Sequence, residues 1–239
     1  TSKPAPEKPR FRRPAGTPAA RVLLVEDNAV NAMVMGKILT RAGHTAVYAE
    51  CGEDALDRLA ECGVDVVLMD VNMPGDSGIE TAKLYRQMEI GTRHRVPIVA
   101  VTADATAQTR DACAEAGMDD FLTKPVEAGQ VLEAVARHTT SATDPATETS
   151  SREVKARHDL PALDPTTLAA LEELDEGDGF AASMTGRFTA AAEDTIAALE
   201  QASTETQRGD ILEKLHALKG MAGNAGAAAL RARVAELES

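Results

Sequence analysis

Acidic, hydroxyl and amine side chains follow four of the predicted strands in this 239-residue chain, at the points where those strands end. Glu26 and Asp27 follow the first strand, Asp70 the third, Thr102 the fourth and Lys124 the fifth. Because the carboxyl ends of parallel strands meet at one edge of an open sheet, we expect these side chains to lie close together. A single aspartate after a strand is usually a turn former or a helix cap, but capping does not account for four such placements together.

These residue types suit the transfer of a phosphoryl group to an aspartate. Three clustered carboxylates repel one another unless a cation joins them, and Mg²⁺ prefers oxygen ligands. A phosphoryl group on one carboxylate would add further oxygens, which Thr102 and Lys124 would hold. The sequence therefore predicts a Mg²⁺-dependent site in which an aspartate is the nucleophile.

The elements that must position these residues alternate along the chain. Short apolar runs predict strands at 21–25, 45–49, 65–69, 97–101 and 119–122. An apolar residue every fourth position predicts a helix after the first strand, and further helices are expected near 53–61, 78–88, 106–116 and 127–137. Five strands alternating with five helices predict an α/β fold with a doubly wound, five-stranded parallel sheet.

Residues 21–138 resemble the receiver domain of two-component signalling, which has a flavodoxin-like fold. The matching segments keep their order and spacing: LLVEDN (23–28), VVLMDVNMPG (66–75), AVTA (100–103) and FLTKP (121–125). The resemblance implies that Asp70 is the phosphoacceptor. It also implies that Glu26 and Asp27 bind Mg²⁺ with Asp70, and that the backbone carbonyl of Asn72 completes the protein ligands.

The same resemblance gives roles to the remaining receiver residues. It implies that Thr102 is the switch hydroxyl, that Phe121 is the switch aromatic, and that the Lys124–Pro125 bond is cis, an isomer open mainly to bonds before proline. The alternative is a degenerate receiver kept for binding alone. All the expected site positions hold suitable residues, which favours an active receiver.

The second candidate site is His216, in a region where every segment from Asp164 onward has a helical pattern. At 100° per residue, the apolar positions 211, 215, 218 and 222 fall within roughly 60°, and His216 lies roughly 130° from their centre. Gly220 and Gly223 beside it would let another protein approach the imidazole, and Lys219 could neutralise a phosphoryl group. The simpler interpretation of a surface histidine is solvation alone.

The segment HALKGMAGNAGA (216–227) decides between these interpretations, since it resembles the phosphoacceptor segment of histidine phosphotransfer (HPt) domains. The resemblance implies an all-α helical bundle with an exposed histidine that is phosphorylated on Nε2. The sequence stops at residue 239 within a predicted helix, which leaves open whether the bundle is truncated. Thr1 is not a natural start, so we expect a fragment of a longer protein.

We therefore predict four regions. Residues 1–20 are expected to be a disordered basic lead-in, 21–138 the receiver domain, 139–163 a flexible polar linker and 164–239 the HPt domain.

The net charge of −13 disfavours nucleic-acid binding, because phosphate contacts need clustered Lys and Arg. No apolar run approaches a membrane span. Three cysteines without metal-ligand spacing suggest a reducing cytoplasm.

A receiver followed by an HPt domain resembles the C-terminal half of hybrid sensor histidine kinases. The segments VNMPG (71–75), KLYR (83–86) and TADAT (102–106) resemble the RpfC-type sensors of diffusible fatty-acid quorum signals, whose parent proteins are anchored in the inner membrane. No glycine-rich nucleotide-binding pattern is present, so a kinase domain is not expected here. The predicted partners are an upstream kinase histidine and a downstream response regulator. The alternative is a binding module that sequesters a crotonase-fold signal synthase.

Overall fold

The computed structural model describes residues 11–61, 63–73, 77–92, 95–103, 106–140, 163–175, 177–201 and 208–237. Strands and helices alternate through the first part of the chain. The strands are β1 (Arg21–Val25), β2 (Thr45–Ala49), β3 (Val66–Asp70), β4 (Ile98–Thr102) and β5 (Asp120–Thr123). The helices between and after them are α1 (Ala29–Arg41), α2 (Gly52–Glu61), α3 (Gly78–Met88), α4 (Ala107–Glu115) and α5 (Ala128–Thr139).

The five strands form one parallel sheet in the order β2-β1-β3-β4-β5. This is the flavodoxin-like order, in which the chain changes direction of winding between β1 and β3. All residues of β3 and β4 are buried, as expected for central strands that are covered by helices on both faces. The predicted doubly wound fold is therefore confirmed.

The apolar core explains why these segments form these elements. Leu23, Met69, Ile98 and Ala100 from the strands are almost fully buried, and Tyr85 of α3 and Cys113 of α4 belong to the same cluster. Gly43 and Gly117 end helices with φ of 80° and 82°, a conformation that glycine adopts without strain. Helices α1 and α4 therefore end just before a glycine.

The described residues of a second compact unit form four helices: α6 (Pro165–Leu174), α7 (Phe180–Gln201), α8 (Arg208–Asn224) and α9 (Ala228–Leu237). Helix α8 packs against both α7 and α9, and α6 packs against α7. Leu215, Leu218 and Ala222 of α8 are buried, so these three positions of the predicted apolar stripe face the bundle core, whereas the side chain at the fourth position, 211, lies outside the described part of the chain. The turn from α8 into α9 uses Gly226 with φ 73°, and its carbonyl accepts the Asp164 N–H at 2.7 Å.

Residues 11–20 differ from the disordered lead-in that the sequence predicts. Phe11 is 6% exposed, and the Arg41 guanidinium lies 5.4 Å from the centre of its ring. The Ala20 N–H donates to His44 Nδ1 at 3.1 Å, and the Ala20 carbonyl accepts the Thr45 N–H at 2.9 Å. The prediction is wrong for this stretch because these contacts are made by residues distant in sequence. Residues 1–10 lie outside the described residues.

The predicted linker needs a smaller change at its start. Helix α5 continues to Thr139 instead of ending near 137, because the hydroxyls of Thr139 and Thr140 donate to the carbonyls of Val135 and Ala136 at 2.7 Å. Residues 141–162, most of the predicted linker, lie outside the described residues. Their predicted flexibility stays a prediction.

Candidate phosphoryl-transfer sites

The carboxyl edge of the sheet brings the predicted receiver residues together. Glu26 follows β1 directly, whereas Asp70 and Thr102 are the last residues of β3 and β4 instead of following them. The strands extend one residue further than predicted because Asp70 pairs with Val101 of β4 and Thr102 pairs with Thr123 of β5. The Asp70 and Thr102 side chains therefore start from paired backbone, and the residues Glu26, Asp70 and Thr102 are only 2–3% exposed.

Lys124 joins two of the buried carboxylates. Its Nζ lies 2.7 Å from Glu26 Oε2 and 2.6 Å from Asp70 Oδ2. Burial alone would lower the pKa of this ammonium group, but the negative charges of Glu26 and Asp70 outweigh that effect and raise the pKa. Lys124 is thus held in its charged form, with its donors directed at the carboxylates.

The other oxygen of Asp70 is held by the backbone. The Asn72 N–H donates to Asp70 Oδ1 at 3.1 Å. With Lys124 at Oδ2, the carboxylate is fixed from both sides, so its plane is set by the end of β3 and by the residue after β5. Such a fixed orientation is what an in-line displacement at phosphorus requires of its nucleophile.

The acidic residues also meet the chemical requirements of a Mg²⁺ site. One carboxylate oxygen each from Glu26, Asp27 and Asp70 lies within 4.8 Å of the others. Oxygen ligands are the ones that Mg²⁺ prefers. Among these residues and Lys124, the carboxylates outnumber the single ammonium group, so a divalent cation fits the charge as well as the donor set.

Thr102 and the bond before Pro125 adjoin Lys124, and Phe121 of β5 lies three residues before Lys124. The Thr102 carbonyl accepts the Lys124 N–H at 2.7 Å, which ties the end of β4 to the loop after β5. The Lys124–Pro125 bond is cis, as predicted. Phe121 is partly buried against the core, and the Arg110 guanidinium lies 4.1 Å from the centre of its ring.

His216 lies in the second half of α8. His216, Lys219, Gly220 and Gly223 are all partly exposed, whereas Leu215 and Leu218 are buried. This is the arrangement that the helical periodicity predicts, except that His216 is intermediate in exposure and not fully exposed. The imidazole and the Lys219 ammonium lie one helical turn apart on the same helix.

Two residues near the receiver site escaped the sequence reasoning. Gly78 begins α3 and packs against the backbone of Asp70, and Arg110 stacks on Phe121. A glycine at the first position of a helix, directly after the capping Ser77, is a signal that could have pointed to a close approach. The sequence does not show that Arg110 contacts Phe121, because α4 and β5 come together only when the chain folds.

Two protein-family models match this chain. Residues 22–136 match the response regulator receiver domain, and residues 183–239 match the Hpt domain. The chain contains a receiver domain followed by an Hpt domain. The receiver match spans the sheet with the Asp70 cluster, and the Hpt match spans α8 with His216. Receiver and Hpt domains together form a two-component phosphorelay module.

The chain is similar along most of its length to curated sensor kinases. It is 31% identical to the sensory/regulatory protein RpfC of Xanthomonas campestris pv. campestris, over 96% of this chain and 31% of that protein. It is 30% identical to the sensor protein GacS of Pseudomonas syringae pv. syringae, over 95% of this chain and 25% of that protein. The chain thus spans less than a third of the length of these relatives.

Among solved structures, the receiver domain of the sensor histidine kinase PA1611 from Pseudomonas aeruginosa is 33% identical, with a TM-score of 0.47, and the match covers 51% of this chain and 98% of that one. That structure has a magnesium ion coordinated in its active site cleft.

Within the described part of the receiver–Hpt chain, no helix is both long enough and apolar enough to cross a membrane.

Proposed function

We propose that this receiver–Hpt chain is an intermediate of a phosphorelay in which Asp70 receives a phosphoryl group and exchanges it with His216. The observation that carries the proposal is the fixed Asp70 carboxylate, with Lys124 Nζ 2.6 Å from one oxygen and the Asn72 N–H 3.1 Å from the other. The partners that this role requires are an upstream kinase histidine as donor and a separate response regulator as acceptor.

In the first step, an oxygen of Asp70 attacks the phosphorus of the donor phosphohistidine. The new bond joins oxygen to phosphorus, and the bond from phosphorus to the donor nitrogen breaks. Lys124 lies where it can bind a phosphoryl oxygen, and the Thr102 hydroxyl is the second candidate for that contact. Glu26, Asp27, Asp70 and the Asn72 carbonyl would hold Mg²⁺, which supplies positive charge to the phosphoryl oxygens when bound.

In the second step, Nε2 of His216 attacks the phosphorus, and the bond to Asp70 breaks and restores its carboxylate. Lys219, one turn further along α8, is placed to offset the added negative charge. The glycines beside His216 leave room for a receiver surface to reach the imidazole. Because both domains belong to one chain, the exchange benefits from an effective concentration on the order of millimolar for a flexible tether.

The first step is tested by adding acetyl phosphate to the purified chain and measuring phosphorylation by intact mass. We expect labelling in the presence of Mg²⁺, none after chelation, and none in an Asp70→Asn variant. Glu80→Gln, in the first turn of α3, changes an acidic residue outside the cluster and serves as the matched control. Equal labelling of wild type and Asp70→Asn would contradict the proposal.

Sequestration of a crotonase-fold signal synthase stays a prediction, supported by the 31% identity to RpfC over 96% of this chain. A pull-down of such an enzyme with and without beryllofluoride, which mimics the phosphoryl group, tests it. Stronger capture in one state would show that phosphorylation gates binding, and no capture in either state would contradict the prediction. We also propose, on the basis of the same resemblance, that the module lies in the cytoplasm as part of a longer kinase anchored in the inner membrane.

A further inference from the structure

Gly78, the first residue of α3, lies directly against the backbone that carries the candidate phosphoacceptor. A Cβ built on Gly78 would stand 2.0 Å from the carbonyl oxygen of Asp70 and 3.1 Å from Cγ of Met69. Real Cβ atoms essentially never approach another heavy atom within 3.0 Å. The carbonyl belongs to a buried, paired strand, so it cannot turn aside as the end of a flexible side chain could.

Hydrogen bonds hold the same stretch from two sides. The Gly78 N–H donates to the Val71 carbonyl at 3.1 Å, and the Val71 N–H donates to the Val101 carbonyl at 3.0 Å. The Asn72 N–H then donates to the Asp70 carboxylate at 3.1 Å. Residues 70–72 are therefore clamped between β4 and the first turn of α3, and this clamp sets the direction of the Asp70 side chain.

We propose that Gly78 is a positioning residue for Asp70 and for the Asn72 carbonyl, acting through the closeness of α3 to the 70–72 backbone. The inference rests on the proposed role of Asp70. An alanine at position 78 would move one of the two backbones by about 1 Å, and a misplacement of that size can lower the rate of an aligned reaction about 100-fold.

The test compares Gly78→Ala with wild type in acetyl-phosphate labelling and in Mg²⁺ binding by calorimetry. We expect a labelling rate about 100-fold lower and weaker Mg²⁺ binding, because Asp70 and the Asn72 carbonyl shift together. Gly129→Ala, in the first turn of α5, is the matched control, since a Cβ there meets nothing within 4 Å. Ser77→Ala is a second control, which removes the side chain that accepts the Glu80 N–H and weakens the same helix start without adding a Cβ at position 78.

The controls keep the outcomes distinct. A folded Gly78→Ala chain with wild-type labelling and Mg²⁺ binding would overturn the inference, and so would an equal loss in Ser77→Ala. If Gly78→Ala does not fold, hydrogen exchange of the wild type decides: a protected Gly78 amide supports the clamp, and exchange at the rate of a free amide overturns it. If the wild type itself is not labelled, the proposed function is contradicted. The Mg²⁺ affinity of Gly78→Ala relative to wild type then tests the role of Gly78 independently of labelling.

Discussion

The receiver site and the Hpt site are built in opposite ways. Glu26, Asp70 and Lys124 come from separate parts of the sheet edge and meet through buried ion pairs of 2.7 and 2.6 Å. The described candidate residues of the Hpt site lie along α8, with a partly exposed His216 and glycines nearby. The receiver site therefore depends on long-range folding, whereas the Hpt site depends on the access that one helix surface offers.

This contrast fits the two proposed roles. A carboxylate becomes a controlled nucleophile only where its orientation and charge are fixed, and the sheet edge of the receiver provides both. An imidazole that must meet a donor and then an acceptor needs room for other proteins. Substitutions at the receiver site should thus disturb both stability and chemistry, whereas those at the Hpt site should disturb chemistry alone.

The largest expected effect is the loss of label in variants of the two phosphoacceptors. With acetyl phosphate as donor, we expect Asp70→Asn to remove label from both sites, because His216 is reached only through Asp70. We expect His216→Gln to remove label from the Hpt domain alone. Digestion and mass spectrometry of each domain measure the two labels. His138→Gln changes another partly buried histidine and should keep both, and label on His216 in Asp70→Asn would break the proposed order.

The next largest effect is a difference in stability between variants of Lys124 and Lys219. Lys124→Met should destabilise the receiver by about 3–5 kcal/mol in Mg²⁺-free buffer, because it leaves Glu26 and Asp70 buried without the ammonium group. Lys219→Met on the partly exposed face of α8 should change stability by about 0.5 kcal/mol or less. Hydrogen exchange of amides in β3 and α8 reports each domain separately. Equal changes for the two variants would remove the contrast between the sites.

We expect the free energy of unfolding of the receiver to depend on pH because of His44. The Ala20 N–H donates to His44 Nδ1, and burial, with the charge of Arg13 as a second cause, lowers the pKa of His44 from 6.5. The unfolded chain then binds the proton at a higher pH than the folded chain does. Receiver stability should therefore fall as pH drops below 6.5, by at most about 1.4 kcal/mol per pH unit, until the lowered pKa is passed.

Urea unfolding of wild type and His44→Asn at about pH 7.5 and 5.5 measures this slope. Asparagine keeps an acceptor near the Nδ1 position but does not titrate in this range. We expect the variant to lose the His44 contribution to the slope. The same pH dependence in both proteins would contradict the assignment.

The smallest expected effect concerns Arg110, whose guanidinium lies 4.1 Å from the centre of the Phe121 ring. Arg110→Ala should destabilise the receiver by about 0.5–1 kcal/mol, the range for an exposed cation–π contact. Arg110→Lys keeps the positive charge and should recover part of the loss. Thermal unfolding measures all three proteins, and no difference between Arg110→Ala and wild type would exclude a stabilising role for this contact.

The fold and the placement of Asp70 could be predicted from sequence because both follow from local patterns. Buried parallel strands have continuous apolar sequences, which predict their positions. Because the carboxyl ends of such strands lie at one edge of the sheet, Asp70, Thr102 and Lys124 could be predicted to be neighbours. The strand ends were one residue short because pairing between strands, such as Asp70 with Val101, decides where a strand stops. The residue pattern within one strand does not show which residues of the neighbouring strand pair with it.

Contacts between distant segments account for what the sequence did not predict. Phe11 is buried on the receiver, and Arg86 of α3 donates to the carbonyls of Val96 and Gly117 and pairs with Asp119. Neither arrangement leaves a periodic signal. The approach of Gly78 to Asp70 is of the same kind, since the glycine is visible in the sequence but its neighbour is not.

The most direct test of the phosphorelay is a chase after labelling. The chain is labelled on Asp70 with radioactive acetyl phosphate, the donor is removed rapidly, and label on Asp70, on His216 and in free phosphate is followed with time. We predict that loss of label from Asp70 is matched by a gain on His216, and that Asp70 label decays more slowly in His216→Gln. Decay of Asp70 label to free phosphate alone, at the same rate in both proteins, would contradict the account.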